Sequence, residues 1–302
     1  MHAFCNELTH VRLLSKHTLN SYQLDLRRLS EFCAKNMQKK QETIALEHVS
    51  RQTIQDWLVD AHAQGLAAAT LSRRLSAVKS LFTFAMRLKH CTDNPAAGLR
   101  APKLAKRLPK TVPQAQTQQL LAENNRPAET RELALLALLY GSGLRVSEVV
   151  GVDITDLNLK PDEACVRVLG KGNKQRIVPL PTLAADLLQA WLVERAKMLP
   201  DHFALFLNRF GKRLNVRSVQ RMLKDRALAA GVDLSITPHH LRHSFATDML
   251  TGGANLRSIQ EMLGHVSLTT TERYTHITLP QLQATYIKAH PRSTKAKVTN
   301  KT

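Results

Sequence analysis

Thr237-Pro-His-His-Leu-Arg-His-Ser-Phe-Ala-Thr247, followed by Gly264-His265 and by Tyr274-Thr-His276, is the stretch around which the rest of the chain is arranged. Thr237 before Pro238 predicts a helix start, with a capping hydroxyl and a proline at the first helical position, where a missing N–H costs nothing. His239 and Arg242 then fall one turn apart on a common face. The free N–H groups and positive dipole end of a helix start attract anions, and an imidazole and a guanidinium narrow that preference to phosphate. His240 and His243 are read as structural, hydrogen-bonded in the core.

The whole composition agrees with a phosphate-bearing partner. The 302 residues carry a formal net charge of +19, with 43% hydrophobic residues. That charge on a globular chain favours nucleic acid, with acidic membrane surface second. The length favours two domains over one. No apolar run approaches the roughly 20 residues of a spanning helix, and no secretory signal opens the chain, so a cytoplasmic protein is expected. Cys5, Cys33, Cys91 and Cys165 are scattered, without the spacing of a zinc site or a disulfide framework, and are read as reduced thiols.

Working back from the opening stretch, helical spacing recurs at Thr18–Cys33, with Asp25, Arg27 and Arg28 on faces other than the apolar one, at Ser50–His62 and at Thr70–Lys89, with Arg73, Arg74 and Lys79 outside. This predicts an all-helical N-terminal domain over residues 1–98 with basic faces, which are either simply solvated or turned to a polyanion. Pro95, Pro102, Pro109 and Pro113, interleaved with Arg100, Lys103, Lys106, Arg107 and Lys110, break the pattern and read as a basic linker over 99–113. It is either a plain connector or a segment that tracks a phosphate backbone.

A second domain, 114–290, opens with helices at Thr117–Glu123 and Glu129–Tyr140, the latter apolar nearly all round and so central in a core. Gly141-Ser-Gly-Leu-Arg145 follows, a tight turn that sets Arg145 at the start of a short helix, Val146–Val150. Beside Glu148, Arg145 is either half of a surface salt bridge or a fixed phosphate ligand. Alternating residues at Ala164–Leu169 and Arg176–Leu180 predict a β-hairpin, with Lys171 between glycines in its turn. Further helices are expected at Thr182–Met198, at Asn215–Ala230 with Arg217, Arg221, Lys224 and Arg226 outward, at Leu256–Leu263 before Gly264, from Ser267 to Tyr274, and at Leu279–Ala289. A basic tail, 291–302, closes the chain.

Three readings of the histidines compete. A metal site is disfavoured, since His239 and His243 lack the glutamate of a His-Glu-x-x-His helix and Arg242 repels a cation. Purely structural histidines are the second. The third is a phosphate-handling site: a phosphodiester under attack gathers charge on its non-bridging oxygens, and forked guanidiniums such as Arg145 and Arg242 meet it. Lys171 suits protonation of an alkoxide leaving group, and Tyr274 is a candidate covalent nucleophile. No acidic cluster of the two-metal nuclease kind is present.

Tyr140-Gly-Ser-Gly-Leu-Arg-Val-Ser-Glu148, Gly170-Lys-Gly172, His239-x-x-Arg-His243, Leu263-Gly-His265 and Tyr274-Thr-His276, in this order and spacing, resemble the tyrosine recombinases, and more narrowly the bacterial Xer type of XerC and XerD. The resemblance spans nearly the whole chain. It implies a mainly α, two-domain DNA clamp, with a SAM-like helical bundle before a mixed α/β catalytic domain that carries the small hairpin sheet. It implies that Tyr274 attacks a DNA phosphate to form a 3′-phosphotyrosyl link, that Arg145 and Arg242 hold the phosphate, and that Lys171 protonates the leaving 5′ oxygen. His239 would assist proton transfer and His265 would hydrogen-bond the phosphate, with no metal, cofactor or ATP. The implied partners are double-stranded DNA, a second related recombinase in a heterotetrameric synaptic complex, and a septal DNA translocase. The implied task is resolution of chromosome dimers. An integrase of a phage or mobile element, a strand-relaxing topoisomerase and a non-catalytic architectural DNA binder are the alternatives.

Overall fold

The computed structural model describes residues 2–11, 14, 16–41, 44–101, 112–122, 129–161, 163–170, 174–264 and 279–291. The chain divides into two compact units, Met1–Arg107 and Leu108–Thr302. Among the described residues no helix is long and apolar enough to cross a membrane. Cys5 and Cys33 are buried, Cys91 and Cys165 half-buried, and all four are free thiols.

The first unit is built from α1 (His2–Asn6), which runs into a wider turn at Glu7–Val11, then α2 (Lys16–Asn36), α3 (Arg51–Ala63) and α4 (Ala68–Arg87). The predicted helices are present. The expectation missed α1 and the wider turn after it, whose Phe4 and Leu8 join Leu26, Leu29, Ile54, Trp57, Leu75, Val78 and Phe82 in one core. Ser50 caps α3 as a helix start requires, its Oγ accepting from Thr53 N at 3.1 Å. Two expected outer residues are inside: Asp25 is fully buried and Arg74 is 5% exposed. Arg74 lies 4.9 Å over the Trp57 ring, and Lys79 donates to the Leu99 carbonyl at 2.8 Å. These cations therefore serve packing inside the first unit.

The second unit comprises α5 (Gln114–Leu120), α6 (Glu129–Leu136), α7 (Val146–Gly151), strands β1 (Leu157–Asn158), β2 (Cys165–Leu169) and β3 (Gln175–Pro179), then α8 (Thr182–Lys197), α9 (Val216–Ala229), α10 (Pro238–Thr251), α11 (Leu256–Leu263) and α12 (Leu279–Ala289). The strands form an antiparallel sheet in the order β1-β2-β3, with Val166 facing Val178 and Val168 facing Arg176. The hairpin was expected; β1 at its edge was not. α6 is central, as its apolar circumference predicts. Leu135, Leu136, Leu138 and Leu139 are all at most 1% exposed, and each such side chain contributes about 1.5–3 kcal/mol by leaving water.

The last turn of this element, Ala137–Gly141, widens from α to π pairing just before the glycine turn. Arg226, expected outward on α9, is fully buried: it donates to Glu132 at 3.2 Å and to the carbonyls of Leu120 and Ala122 at 3.0 and 2.8 Å. Residues 102–111 of the expected linker, 292–302 of the tail, and the helix expected from Ser267 to Tyr274 lie outside the described residues.

Candidate phosphate-binding site

α10 begins as its sequence predicts. Thr237 is extended, its Oγ1 accepts from His240 N at 3.3 Å, and Pro238 occupies the first turn. Leu241, Phe245 and Met249 face the core at no more than 1% exposure, which turns Arg242 inward with them. His239, on the same first turn, is exposed, while His240 and His243 are half-buried.

The Arg242 guanidinium is anchored on two backbone carbonyls, Gly143 and Leu263, each at 2.7 Å. Gly143 belongs to the turn between α6 and α7, and only glycine fits there. Its φ is +61°, and an added Cβ would stand 2.3 Å from Phe245 Cδ1. The close approach of this turn to α10 is what brings its carbonyl within reach of Arg242.

Arg145 reaches the second of these carbonyls too, with Nη1 3.4 Å from Leu263 O. The two guanidiniums therefore converge on the C-terminus of α11, one residue short of Gly264, which caps that helix with φ +65° and precedes His265. Opposing them is Glu148. Its Oε1 accepts from Arg145 Nη1 at 2.9 Å and from Arg176 Nη1 at 2.8 Å. Its Oε2 accepts from the Arg145 backbone N–H at 2.8 Å and from Arg176 Nη2 at 2.9 Å. Arg242 Nη1 stands 3.9 Å from the same Oε2, outside hydrogen-bond range. Of the alternatives left open for Arg145, the salt bridge with Glu148 is formed, and the side chain remains 39% exposed.

The electrostatics follow from burial and count. Burial alone raises the Glu148 pKa, but the hydrogen bonds from Arg176 and from the Arg145 backbone outweigh it and hold the carboxyl below its usual range. Burial, and then the neighbouring Arg145 charge, push Arg242 down to about 10, against the pull of Glu148. It stays cationic at neutral pH. Three guanidiniums around one carboxylate leave a local excess of positive charge facing the side on which Arg145 is exposed. That charge distribution is suited to an anion with several oxygens.

Of the expected site residues, the structure brings Arg145 and Arg242 together and places His239 at the start of the same helix. Lys171, His265 and Tyr274 lie outside the described residues. Gly170, directly before Lys171, closes the hairpin with its N–H on the Lys174 carbonyl at 2.8 Å. From sequence Glu148 reads only as a possible salt-bridge partner of Arg145, and Arg176 is not singled out. A signal for Arg176 exists: strand alternation puts it on the same face as buried Val178, and a cation on an inward face demands a carboxylate.

With this geometry in place, comparison with known proteins is specific. Residues 1–89 match the model of the phage integrase N-terminal SAM-like domain, and residues 110–279 match that of the phage integrase family. A tyrosine recombinase XerC from Actinobacillus pleuropneumoniae serotype 7 is 40% identical over 284 residues, 94% of this chain and 90% of the relative. One from Haemophilus influenzae strain PittEE is 39% identical over 287 residues, 95% of each. Among solved structures, XerH site-specific recombinase bound to difH substrate in a pre-cleavage complex superposes with a TM-score of 0.66 at 26% identity, covering 88% of this chain and 78% of that one. A lambda integrase dimer bound to a COC′ core site, at 18% identity and a TM-score of 0.65, covers 92% of this chain and 99% of its own, and shares the fold. Matched along both of its units, the chain belongs to the phage integrase family, the tyrosine recombinases.

Proposed function

We propose that this chain is an Xer-type recombinase that cuts and rejoins duplex DNA in the cytoplasm at a short two-armed site, and that, paired with a second, different recombinase, it resolves chromosome dimers before cell division. The observation that supports this most is the convergence of Arg145 and Arg242 on the Leu263 carbonyl with one carboxylate between them. Two fixed guanidiniums, offset by a single carboxylate, match the charge that builds on the non-bridging oxygens of a phosphodiester under attack.

In this reading the Tyr274 phenol oxygen attacks the phosphorus and gives up its proton with the help of His239. The P–O5′ bond breaks, and its electron pair takes a proton from Lys171 to leave a 5′-hydroxyl. The product is a 3′-phosphotyrosyl ester, during whose formation Arg145, Arg242 and His265 hold the phosphate oxygens. Attack by a 5′-hydroxyl of a second strand reverses the step and releases Tyr274. Because the ester stores the energy of the broken bond, rejoining consumes no nucleotide triphosphate.

A nicked duplex suicide substrate tests this directly, since loss of the short 5′ fragment traps the ester. The expected result is a protein–DNA adduct that survives denaturation, forms in EDTA without ATP, and disappears with Tyr274→Phe. An adduct retained by Tyr274→Phe would overturn the assignment of the nucleophile. Binding without an adduct, on cognate DNA with the partner recombinase supplied, would overturn the catalytic reading itself.

A further inference from the structure

Arg176 belongs to no role assigned above, yet it makes the most fully used guanidinium contacts of the site. It is the second residue of β3, opposite Val168. Its Nη1 and Nη2 fork onto the two oxygens of Glu148 at 2.8 and 2.9 Å, and its Nε donates to the Met262 carbonyl at 2.9 Å. The side chain is 12% exposed, against 39% for Arg145. It is also packed in place, since a Cβ added at Gly264 would stand 3.0 Å from its Nη1 and one at Gly170 would stand 3.3 Å away. Arg176 is thereby clamped at both ends, between a carboxylate on α7 and the last turn of α11.

A carboxylate oxygen offers about two acceptor directions. At Glu148 each oxygen receives one bond from Arg145 and one from Arg176, so both are filled. The consequence falls on Arg242. Its Nη1 is 3.9 Å from Glu148 Oε2 and is committed instead to Gly143 O at 2.7 Å. With Arg176 absent, each oxygen has an open direction, and Arg242, 3.9 Å away, is the cation near Glu148 that is not yet hydrogen-bonded to it. A guanidinium drawn into a bidentate pair with Glu148 would have its donors turned away from an incoming phosphate.

We infer that Arg176 is a positioning residue of the cleavage site: by saturating Glu148 it keeps Arg242 from being drawn onto that carboxylate, and so leaves the remaining donors of Arg242, beside those of the Glu148-bound Arg145, ready for the scissile phosphate. This rests on the recombinase reading given above. It makes Glu148 and Arg176 a single device, in which the carboxylate orients Arg145 and the third arginine prevents the carboxylate from capturing too much.

The test is a double-substitution cycle on the full-length protein, with cognate nicked duplex at saturating concentration and the first-order rate of adduct formation as the readout. Arg176→Gln should slow the adduct about 30-fold in the native background and less than about 3-fold when combined with Glu148→Gln, because the carboxylate it guards is then uncharged. Arg176→Lys, which cannot fork onto both oxygens and reach Met262, should fall between wild type and Arg176→Gln. DNA affinity should change less than about 3-fold in all of these variants, since Arg176 does not touch the phosphate in this scheme.

Equal losses in both backgrounds would overturn the inference, as would a fall in DNA affinity that accounts for the loss of rate. If Arg176→Gln loses the native circular dichroism spectrum, Arg176→Lys decides: a wild-type rate there overturns the inference, and a slowed rate at unchanged affinity supports it. Wild-type protein that forms no adduct would instead overturn the recombinase reading on which the inference stands.

Discussion

Each unit of this protein contains a buried carboxylate with arginines around it, and the two clusters behave in opposite ways. Asp25 in the first unit is fully buried, pairs with Arg73, and has Arg74 Nε 3.8 Å away. Among the described residues, its Oδ1 and that Arg74 Nε have no hydrogen-bond partner. Glu148 in the second unit is buried as well, yet both oxygens are fully bonded. Burial therefore wins at Asp25 and raises its pKa in spite of Arg73, Arg74 and Arg28, whereas at Glu148 burial is outweighed by hydrogen bonds and the pKa falls. Proximity of cations is not enough. What keeps a buried carboxylate ionised is donors aimed at its lone pairs.

The arginines differ in the same sense. Arg74 is sealed over Trp57 with its side chain 6% exposed, while Arg145 keeps donors in solvent. The first cluster is a packing device and the second an open site.

The comparison can be broken or sharpened by substitution, because each unit carries one buried tryptophan, Trp57 in the first and Trp191 in the second. Single-tryptophan variants report the two units separately. Glu148→Ala strands three guanidiniums and should cost the Trp191-reported unfolding about 3–5 kcal/mol in a denaturant titration. A loss under 1 kcal/mol would mean that the arginines relax into solvent.

Arg145→Ala should leave the fold intact and slow adduct formation by about 10²- to 10³-fold. Asp25→Asn, measured in the same assay at saturating DNA, should leave that rate unchanged. Asp25→Ala removes a carboxylate with one oxygen already unsatisfied, so the Trp57-reported transition should lose only about 1–3 kcal/mol. A loss as large as that at Glu148 would erase the distinction between the clusters.

The smallest effects are those of pH, and they have opposite signs. Glu148 has a depressed folded pKa, so its stabilisation is present above the unfolded glutamate value and is lost as pH falls through the folded one. The acid loss of Trp191-reported stability should accordingly become shallower in Glu148→Gln. Asp25 has a raised folded pKa, so its contribution is complete below the unfolded aspartate value and is lost as pH rises through the folded one. Asp25→Asn should therefore remove a gain on acidification, and the Trp57-reported unit should lose stability more steeply toward low pH.

Much of the local structure was legible without coordinates. Helical spacing, the Thr237-Pro238 start, the glycine stop at Gly264 and the alternating hairpin all act within a few residues, and the structure contains each of them. Arg145 and Arg242 were legible as a pair because a phosphate needs two forked cations and the motif spacing resembled a known one. Glu148 was legible as a neighbour of Arg145, but its pairing with Arg176 was not, since a carboxylate and an arginine 28 residues apart in sequence give no local sign that they meet.

The same holds for every charged residue that was expected outside and lies within. Asp25 meets Arg73 across 48 residues, and Arg226 meets Glu132 across 94. The sequence by itself determined which segments become helix or strand and which residue types are present for phosphate chemistry. The tertiary structure alone decided which charges are buried, which are spent on one another, and which keep donors free, because the cost of burying an ion depends on partners that only the folded chain brings near.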